Sequence, residues 1–204
     1  MLLDEKPKEH SVSDEAMRTM FAARKAVFVD LLKWDVPVLA GQYEVDQFDN
    51  SHANYIILAE PDGNHLGSAR LLPTTRPHIL DSFYADLCDE APPRDPDIVE
   101  ITRFCLDRRL CAAQRRQVRD ALVTALVTYA LQNGISAYTA IASLPWFSQI
   151  MTFGWDCRAL GMPRGVDGKP TVALRIEITL ETPELLKDAG IFAVSLPNNG
   201  FIMA

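Results

Sequence analysis

Between Val99 and Leu106 the chain reads Val-Glu-Ile-Thr-Arg-Phe-Cys-Leu, an apolar run of strand length that carries Glu100 and Arg103. Its branched and aromatic residues favour a pleated, buried strand. Charged side chains inside such a strand are costly unless they are paired and hydrogen-bonded. In a regular strand an odd separation also puts Glu100 and Arg103 on opposite faces. Both reach one cleft only across a β-bulge, which adds a residue and re-aims backbone N–H groups. The strand therefore predicts a bulge and counter-charges brought in from elsewhere.

Other segments offer such charges. Ser13 is a plausible N-cap for a helix whose first turn carries Asp14 and Glu15. Met17, Met20, Phe21, Val27, Phe28 and Leu31 recur there at helical spacing, with Arg24 inside the apolar stripe. A buried arginine requires an anionic partner, whereas one at the stripe's edge can snorkel to water. Trp34 closes the helix ahead of Pro37. Next comes Tyr43-Glu44-Val45-Asp46-Gln47-Phe48-Asp49, flanked by Gly41 and Asn50-Ser51 and read as loop. On its own, that stretch is an acidic loop facing solvent. Tyr55–Ala59 and Leu66–Leu72 form a hairpin around Pro61-Asp62-Gly63-Asn64, with Arg70 on its second strand. Together, Arg24, Glu44, Asp46, Asp49, Arg70, Glu100 and Arg103 can form a charge web lining one cleft. Such a web suits a small zwitterion.

The rest of the chain supplies a scaffold. Residues 73–97 are irregular and rich in proline and acid, with a short helix around Ile79–Leu87. A long helix follows over Ala113–Asn133, with Gly134 placed to end it. A strand at Ile135–Ala142, a helix from Pro145 to Phe153 and an alternating strand at Thr171–Thr179 complete the pattern. The tail from Glu181 to Ala204 is apolar enough to pack back on the body. This order implies an α/β (α+β) fold, a mixed central sheet flanked by helices, in one domain spanning 1–204.

Scattered Cys88, Cys105, Cys111 and Cys157, without metal-ligand spacing to any histidine, imply reduced thiols in a cytoplasmic protein and no metal. The sequence has no run of transmembrane length and no secretory leader pattern. A net charge of −7 disfavours nucleic acid as a partner of the whole chain. Arg103, Arg108, Arg109, Arg115, Arg116 and Arg119 nevertheless follow an acidic stretch and form a basic patch suited to an acidic or phosphorylated partner.

The motifs Arg24-x-x-x-Phe28-x-x-x-x-x-Trp34, Glu44-x-Asp46-x-x-Asp49, Arg70 and Glu100-x-x-Arg103 resemble, in order and spacing, the acyl-homoserine-lactone synthases (autoinducer synthases) of bacterial quorum sensing. Phe83 also resembles a family aromatic, and the likeness covers roughly residues 15–160. It implies a GNAT-like acyltransferase fold and two substrates, S-adenosylmethionine and an acyl thioester on acyl carrier protein or coenzyme A. No prosthetic group and no membrane partner are implied. Glu44 or Glu100 would then be the general base, with Arg24 or Arg103 holding the substrate carboxylate. Asp46 and Asp49 would organise the arginines, Arg70 among them, or face the cationic end. Phe28 and Trp34 would wall the cleft. Thr139 stands where the family often contacts a 3-oxo group. Phe104, Leu122, Trp146, Phe147 and Met151 are candidates for the acyl pocket. Arg108, Arg109, Arg115 and Arg116 would dock the donor, although no glycine-rich pyrophosphate loop follows Leu106. Two other readings stay open at this point: an acetyltransferase acting on another amine, and a noncatalytic regulator binding through the arginine-rich helix.

Overall fold

The computed structural model describes residues 12–193 and 200–203. Among the described residues there are ten strands: β1 (Val38–Leu39), β2 (Tyr43–Glu44), β3 (Asn54–Ala59), β4 (His65–Pro73), β5 (Ile98–Leu106), β6 (Ala137–Ser143), β7 (Asp156–Ala159), β8 (Arg164–Val166), β9 (Lys169–Glu177) and β10 (Gly200–Met203). The helices are α1 (Val12–Arg24), α2 (Ile79–Phe83), α3 (Ala112–Asn133), α4 (Leu144–Ile150) and α5 (Thr182–Asp188). All strands except β1 and β2 join one eight-stranded sheet in the order β10-β3-β4-β5-β6-β9-β7, with β8 also on β9. Among the described residues only β5 and β6 run parallel; every other pair is antiparallel.

Helix α3 covers one face. Its Val118, Ala121, Leu122, Leu126 and Ala130 are buried in the main core with Leu71, Ile101, Tyr138 and Leu174. Gly134, at φ +66°, supplies the left-handed residue that closes the helix. On the other face Ala16 and Met20 of α1 pack on Tyr55, Ile57 and Ala59 of β3. The β3–β4 hairpin turns where expected, with Gly63 at φ +85° and its N–H donating to the Glu60 carbonyl.

Several elements differ from the sequence expectation. The first helix does not run unbroken to Trp34; after Arg24 it widens into a π-helical segment, Lys25–Leu31. Tyr43 and Glu44 are not loop but pair with Val38 and Leu39, because Ala40 and Gly41 both take positive φ and reverse the chain. Strands β7 and β8 went unread, being too short to show a period. In the tail, Leu186 of α5 and Ile191 join the core, and the Ala193 N–H donates to Thr124 of α3. The backbone of β10 pairs with β3 at the sheet edge.

Two irregularities shape the sheet. Along β4 and β5 the pairs run Ser68↔Cys105 and then Arg70↔Thr102, so β5 carries an extra residue opposite Ala69. This is the expected bulge, and Arg103 within it has φ +50°. The parallel β5–β6 register begins at Ile98↔Ala137 and stops at Ile101↔Ala140. Beyond that point β5 continues only along β4, and β6 only along β9, so a gap opens between them.

Candidate active site

Six of the seven charged residues singled out from sequence meet in one network. Arg24, at the end of α1, donates from Nε to Glu44 at 2.5 Å and from both Nη atoms to Asp49 at 2.8 and 2.9 Å. The guanidinium carbon of Arg24 lies 5.0 Å from the centre of the Phe21 ring. Arg70, on β4, grips Asp46 through two bonds of 2.6 and 3.0 Å and lies 2.9 Å from Asp49. Arg103 reaches Glu44 at 2.9 Å and Asp46 at 2.7 Å. Three guanidiniums thus face three carboxylates, and each carboxylate bridges two arginines. Mutual neutralisation and bidentate geometry are what make such burial tolerable.

The network is sealed on one side and open on the other. Side chains of Arg24, Glu44, Asp49 and Arg70 are at most 2% exposed, whereas Asp46 and Arg103 reach about a tenth. Burial works to raise the Asp49 pKa, but Arg24 and Arg70 outweigh it and hold the carboxyl below its ordinary range. The Tyr55 hydroxyl and the Asp46 N–H also donate to Asp49. At the mouth, Phe28 and Trp34 stack with ring centres 4.7 Å apart, and the Arg103 guanidinium lies 5.5 and 5.6 Å from them. The π-helical turn carries Phe28 to that position and leaves Trp34 41% exposed.

Glu100 stands apart from the six. It is fully buried on β5, where its carboxylate accepts the N–H groups of Ile79 and Leu80 at 2.8 and 3.0 Å, at the start of α2. Burial pushes its pKa up to about 8 despite those two donors and nearby Arg70. By alternation Glu100 shares a face with Thr102, whose hydroxyl accepts from Arg70 Nε at 2.9 Å. The left-handed backbone of Arg103 turns its side chain to join Arg70 on Asp46. Thr139 is opposite Glu100 across the parallel pair, and its buried hydroxyl has no partner among the described residues.

The remaining candidates divide. Phe104 and Trp146 lie 5.7 Å apart, with Trp146 continuing to Phe153, and Leu122 and Phe147 belong to the same apolar cluster beside the sheet gap. Met151, by contrast, is 47% exposed. Phe83 is exposed and meets Phe48 edge-on at 5.9 Å. Arg108, Arg109, Arg115 and Arg116 are exposed at the β5–α3 connection and take no part in the network, although Arg108 donates to the Ala26 carbonyl at 3.1 Å. Thr102 and Tyr55 were not singled out from sequence, although strand alternation places Thr102 with Glu100. No group of three His, Cys, Asp or Glu side chains among the described residues is arranged to hold a metal.

A bulged, splayed sheet flanked by helices is the fold of GNAT-type acyltransferases. The chain resembles a putative N-acetyltransferase from Lactobacillus plantarum in fold, with a TM-score of 0.55 at 21% identity. The model of the family described as "Autoinducer synthase" matches residues 8–186, and the chain belongs to that acyltransferase family. It is 30% identical over 181 residues to an acyl-homoserine-lactone synthase of Ralstonia nicotianae, covering 85% of this chain and 88% of the relative. It is 32% identical over 153 residues to one of Pseudomonas aeruginosa, covering 74% of each. Among solved structures it is similar to BjaI, a CoA-dependent acyl-homoserine lactone synthase with SAM and isopentyl-CoA. That match has a TM-score of 0.78 and 27% identity over 89% of this chain and 85% of BjaI. The synthase LasI gives a TM-score of 0.76 and 26% identity over 93% and 94% of the two chains.

Proposed function

We propose that this chain, as a single domain, is an acyl-homoserine-lactone synthase. It transfers an acyl group from a carrier-protein or coenzyme A thioester to the amine of S-adenosylmethionine, then closes the lactone and releases methylthioadenosine. The observation that carries the reading is the neutral six-residue network. It presents Arg103 beside the Phe28–Trp34 stack, near the last paired rungs of β5 and β6, where Glu100 faces Thr139 just before the sheet gap.

Arg103 takes the substrate carboxylate, because it stands at the mouth while Arg24 is sealed behind it. Arg24, Glu44, Asp49 and Arg70 position it, and Asp46 faces the cationic end of the substrate. Glu44 makes a poor base, since both its oxygens are held by charged guanidiniums, which favour the deprotonated carboxylate, whereas those of Glu100 accept only neutral backbone N–H groups. Glu100 is the better one. Its pKa of about 8 matches that of an α-amine, so proton transfer between them is close to balanced.

The neutral amine attacks the thioester carbonyl, and backbone N–H groups exposed by the bulge between Ile101 and Phe104 stabilise the oxyanion. The thiolate then leaves. The substrate carboxylate next attacks its own γ-carbon, breaking the bond to sulfonium sulfur. Intramolecular closure gains on the order of 10⁵ M in effective molarity when well oriented. Holding the carboxylate and the sulfonium in line is therefore the site's main task in that step.

The acyl chain lies along Phe104 and Trp146, and Thr139 offers a hydroxyl to a 3-oxo group. No helix among the described residues is long and apolar enough to cross a membrane. Four free cysteines fit a reducing, cytoplasmic setting. The test is mass spectrometry of purified enzyme incubated with S-adenosylmethionine and a panel of acyl thioesters. A lactone and methylthioadenosine in equal amounts support the proposal; folded enzyme yielding neither with any donor overturns it.

A further inference from the structure

The six-residue network does not hold Glu100; the N–H groups of Ile79 and Leu80 do. Both belong to the first turn of α2, a helix of five residues. A helix that short does not stand unaided in water, so its place has to come from its packing and its cap. Leu80 is buried with Leu87 and Ala173. Ahead of the helix, the Thr74 hydroxyl donates to the Ile98 carbonyl at 2.8 Å and pins the incoming chain to the start of β5.

His78 and Asp81 close the turn itself. Asp81 accepts the His78 N–H at 2.9 Å, the reach-back half of a capping box. His78 Nδ1 lies 2.9 Å from the Arg76 carbonyl, which can only accept, so Nδ1 carries the proton. Nε2 is then a bare acceptor, buried and without a partner among the described residues. Serine or asparagine would cap α2 without that cost. An unpaired polar atom in the turn that holds a buried carboxylate calls for a reason other than stability. The charges acting on Glu100 come from two elements: Arg70 of β4 favours its carboxylate, and Asp81 of α2 opposes it. Thr139 of β6, opposite, carries none. Asp81 is 25% exposed, accepts from the Ser82 hydroxyl at 2.9 Å and has Arg94 at 3.9 Å.

We propose that His78 and Asp81 are positioning residues for Glu100, fixing the first turn of α2 so that its N–H groups keep the carboxylate in one place and one orientation. This rests on the acyl-transfer reading above, in which Glu100 is the base. A reacting group displaced by about 1 Å loses roughly 100-fold in rate, so a glutamate outside the arginine network needs a support of its own. The two residues act on it in opposite senses. His78 supports the N–H donors, which favour the carboxylate, whereas the Asp81 charge favours the proton. Their removal is therefore separable by sign.

The experiment records two things in the full-length enzyme. One is the pH profile of kcat/KM, followed as methylthioadenosine release. The other is infrared titration of the protonated Glu100 carboxyl, assigned by its absence from Glu100→Gln. His78→Ala loosens the N–H donors, so the titration and the rising limb are expected to move up by about one pH unit. Its kcat is expected to fall about tenfold while KM for S-adenosylmethionine holds. His78→Asn, which caps without an imidazole, returns both towards the wild type. Asp81→Asn keeps an acceptor for the His78 N–H and removes only the charge, so titration and limb move down by about half a pH unit. That variant, at a partly exposed position, serves if His78→Ala folds poorly. A titration and limb unmoved in the folded variants, or moved in the same direction by both, overturn the proposal. Glu100→Gln as fast as the wild type instead overturns the base assignment on which the proposal rests.

Discussion

Replacing Glu44 by Gln keeps shape and removes one negative charge from the most enclosed point of the network. Glu44 has no exposed surface and bridges Arg24 at 2.5 Å and Arg103 at 2.9 Å. Each pair, at about 4 Å between charge centres and an effective dielectric near 20, is worth about 4 kcal/mol. Part of that is returned, because the variant no longer desolvates a carboxylate and no longer repels Asp46 and Asp49. The net loss is that of breaking a buried pair, about 3–5 kcal/mol, a large share of the ~5–15 kcal/mol stability of a typical domain. With a urea slope of about 2–3 kcal/mol per molar, the unfolding midpoint falls by roughly 1–2 M. Equilibrium urea unfolding followed by tryptophan fluorescence reads this directly. Adding Arg24→Met restores charge balance and is expected to recover part of the loss. A control, Glu184→Gln, breaks an exposed pair with Lys187 and leaves the midpoint within error. A Glu44→Gln midpoint indistinguishable from that control would refute the claim that these charges are buried at mutual expense.

Asp46→Asn and Arg103→Ala act at the mouth, where each side chain is about a tenth exposed, and are expected to keep the fold while abolishing lactone synthesis; circular dichroism and mass spectrometry report both halves. Glu100→Gln is expected to lower kcat/KM by about 10²–10⁴, and the rising limb of the wild-type profile near pH 8 should disappear with it. Because the folded pKa of Glu100 lies above its unfolded value of 4.5, that group subtracts stability as pH rises from 4.5 towards 8, and the Gln variant should gain on the wild type over that window. Asp49 has the opposite sign: its depressed pKa contributes stability above the unfolded value of 3.8 that is lost as pH falls below it, and Asp49→Asn should show a flatter acid limb in urea unfolding. Thr139→Val removes a buried hydroxyl without a partner, so stability should rise by about 1 kcal/mol while discrimination between 3-oxo and unsubstituted donors falls in competition assays.

The parts of the fold legible in the sequence are those where one physical requirement dominates. Helix α3 and its glycine stop, the Pro61–Asn64 turn and the bulge beside Arg103 each follow from a single local rule. The charge web was legible for a related reason: Arg24 and Arg103 sit where apolar neighbours demand burial, so each had to find a carboxylate. Glu100 obeyed the same rule by another route. Its partners are the first backbone N–H groups of α2; the short helix around Ile79–Leu87 was legible, but that its start caps this carboxylate is a tertiary pairing no sequence window contains. Widening of the first helix after Arg24 was equally hidden, since residues 25–31 keep an apolar pattern compatible with either winding. The β5–β6 gap is a property of register between distant segments, and no window of the sequence contains it.

Those hidden features explain why so much charge is buried for so little exposed machinery. A non-glycine residue at φ +50° costs about 1–3 kcal/mol and persists only when its surroundings hold it there. Arg103 is held by Glu44 and Asp46, which are fixed in turn by Arg24 and Arg70. Without that restraint the bulge could relax toward regular pairing, closing its N–H groups into the ladder and turning the guanidinium away from the Phe28–Trp34 stack. The sealed pairs therefore act through backbone geometry as well as through charge. On this argument Arg24→Met with Glu44→Gln, charge-balanced and folded, should still lose most activity, because only the direct bond to Asp46 remains to orient Arg103. Near-normal turnover by that double variant, measured as methylthioadenosine release, would show that the bulge holds its shape unaided and that the inner pairs serve stability alone.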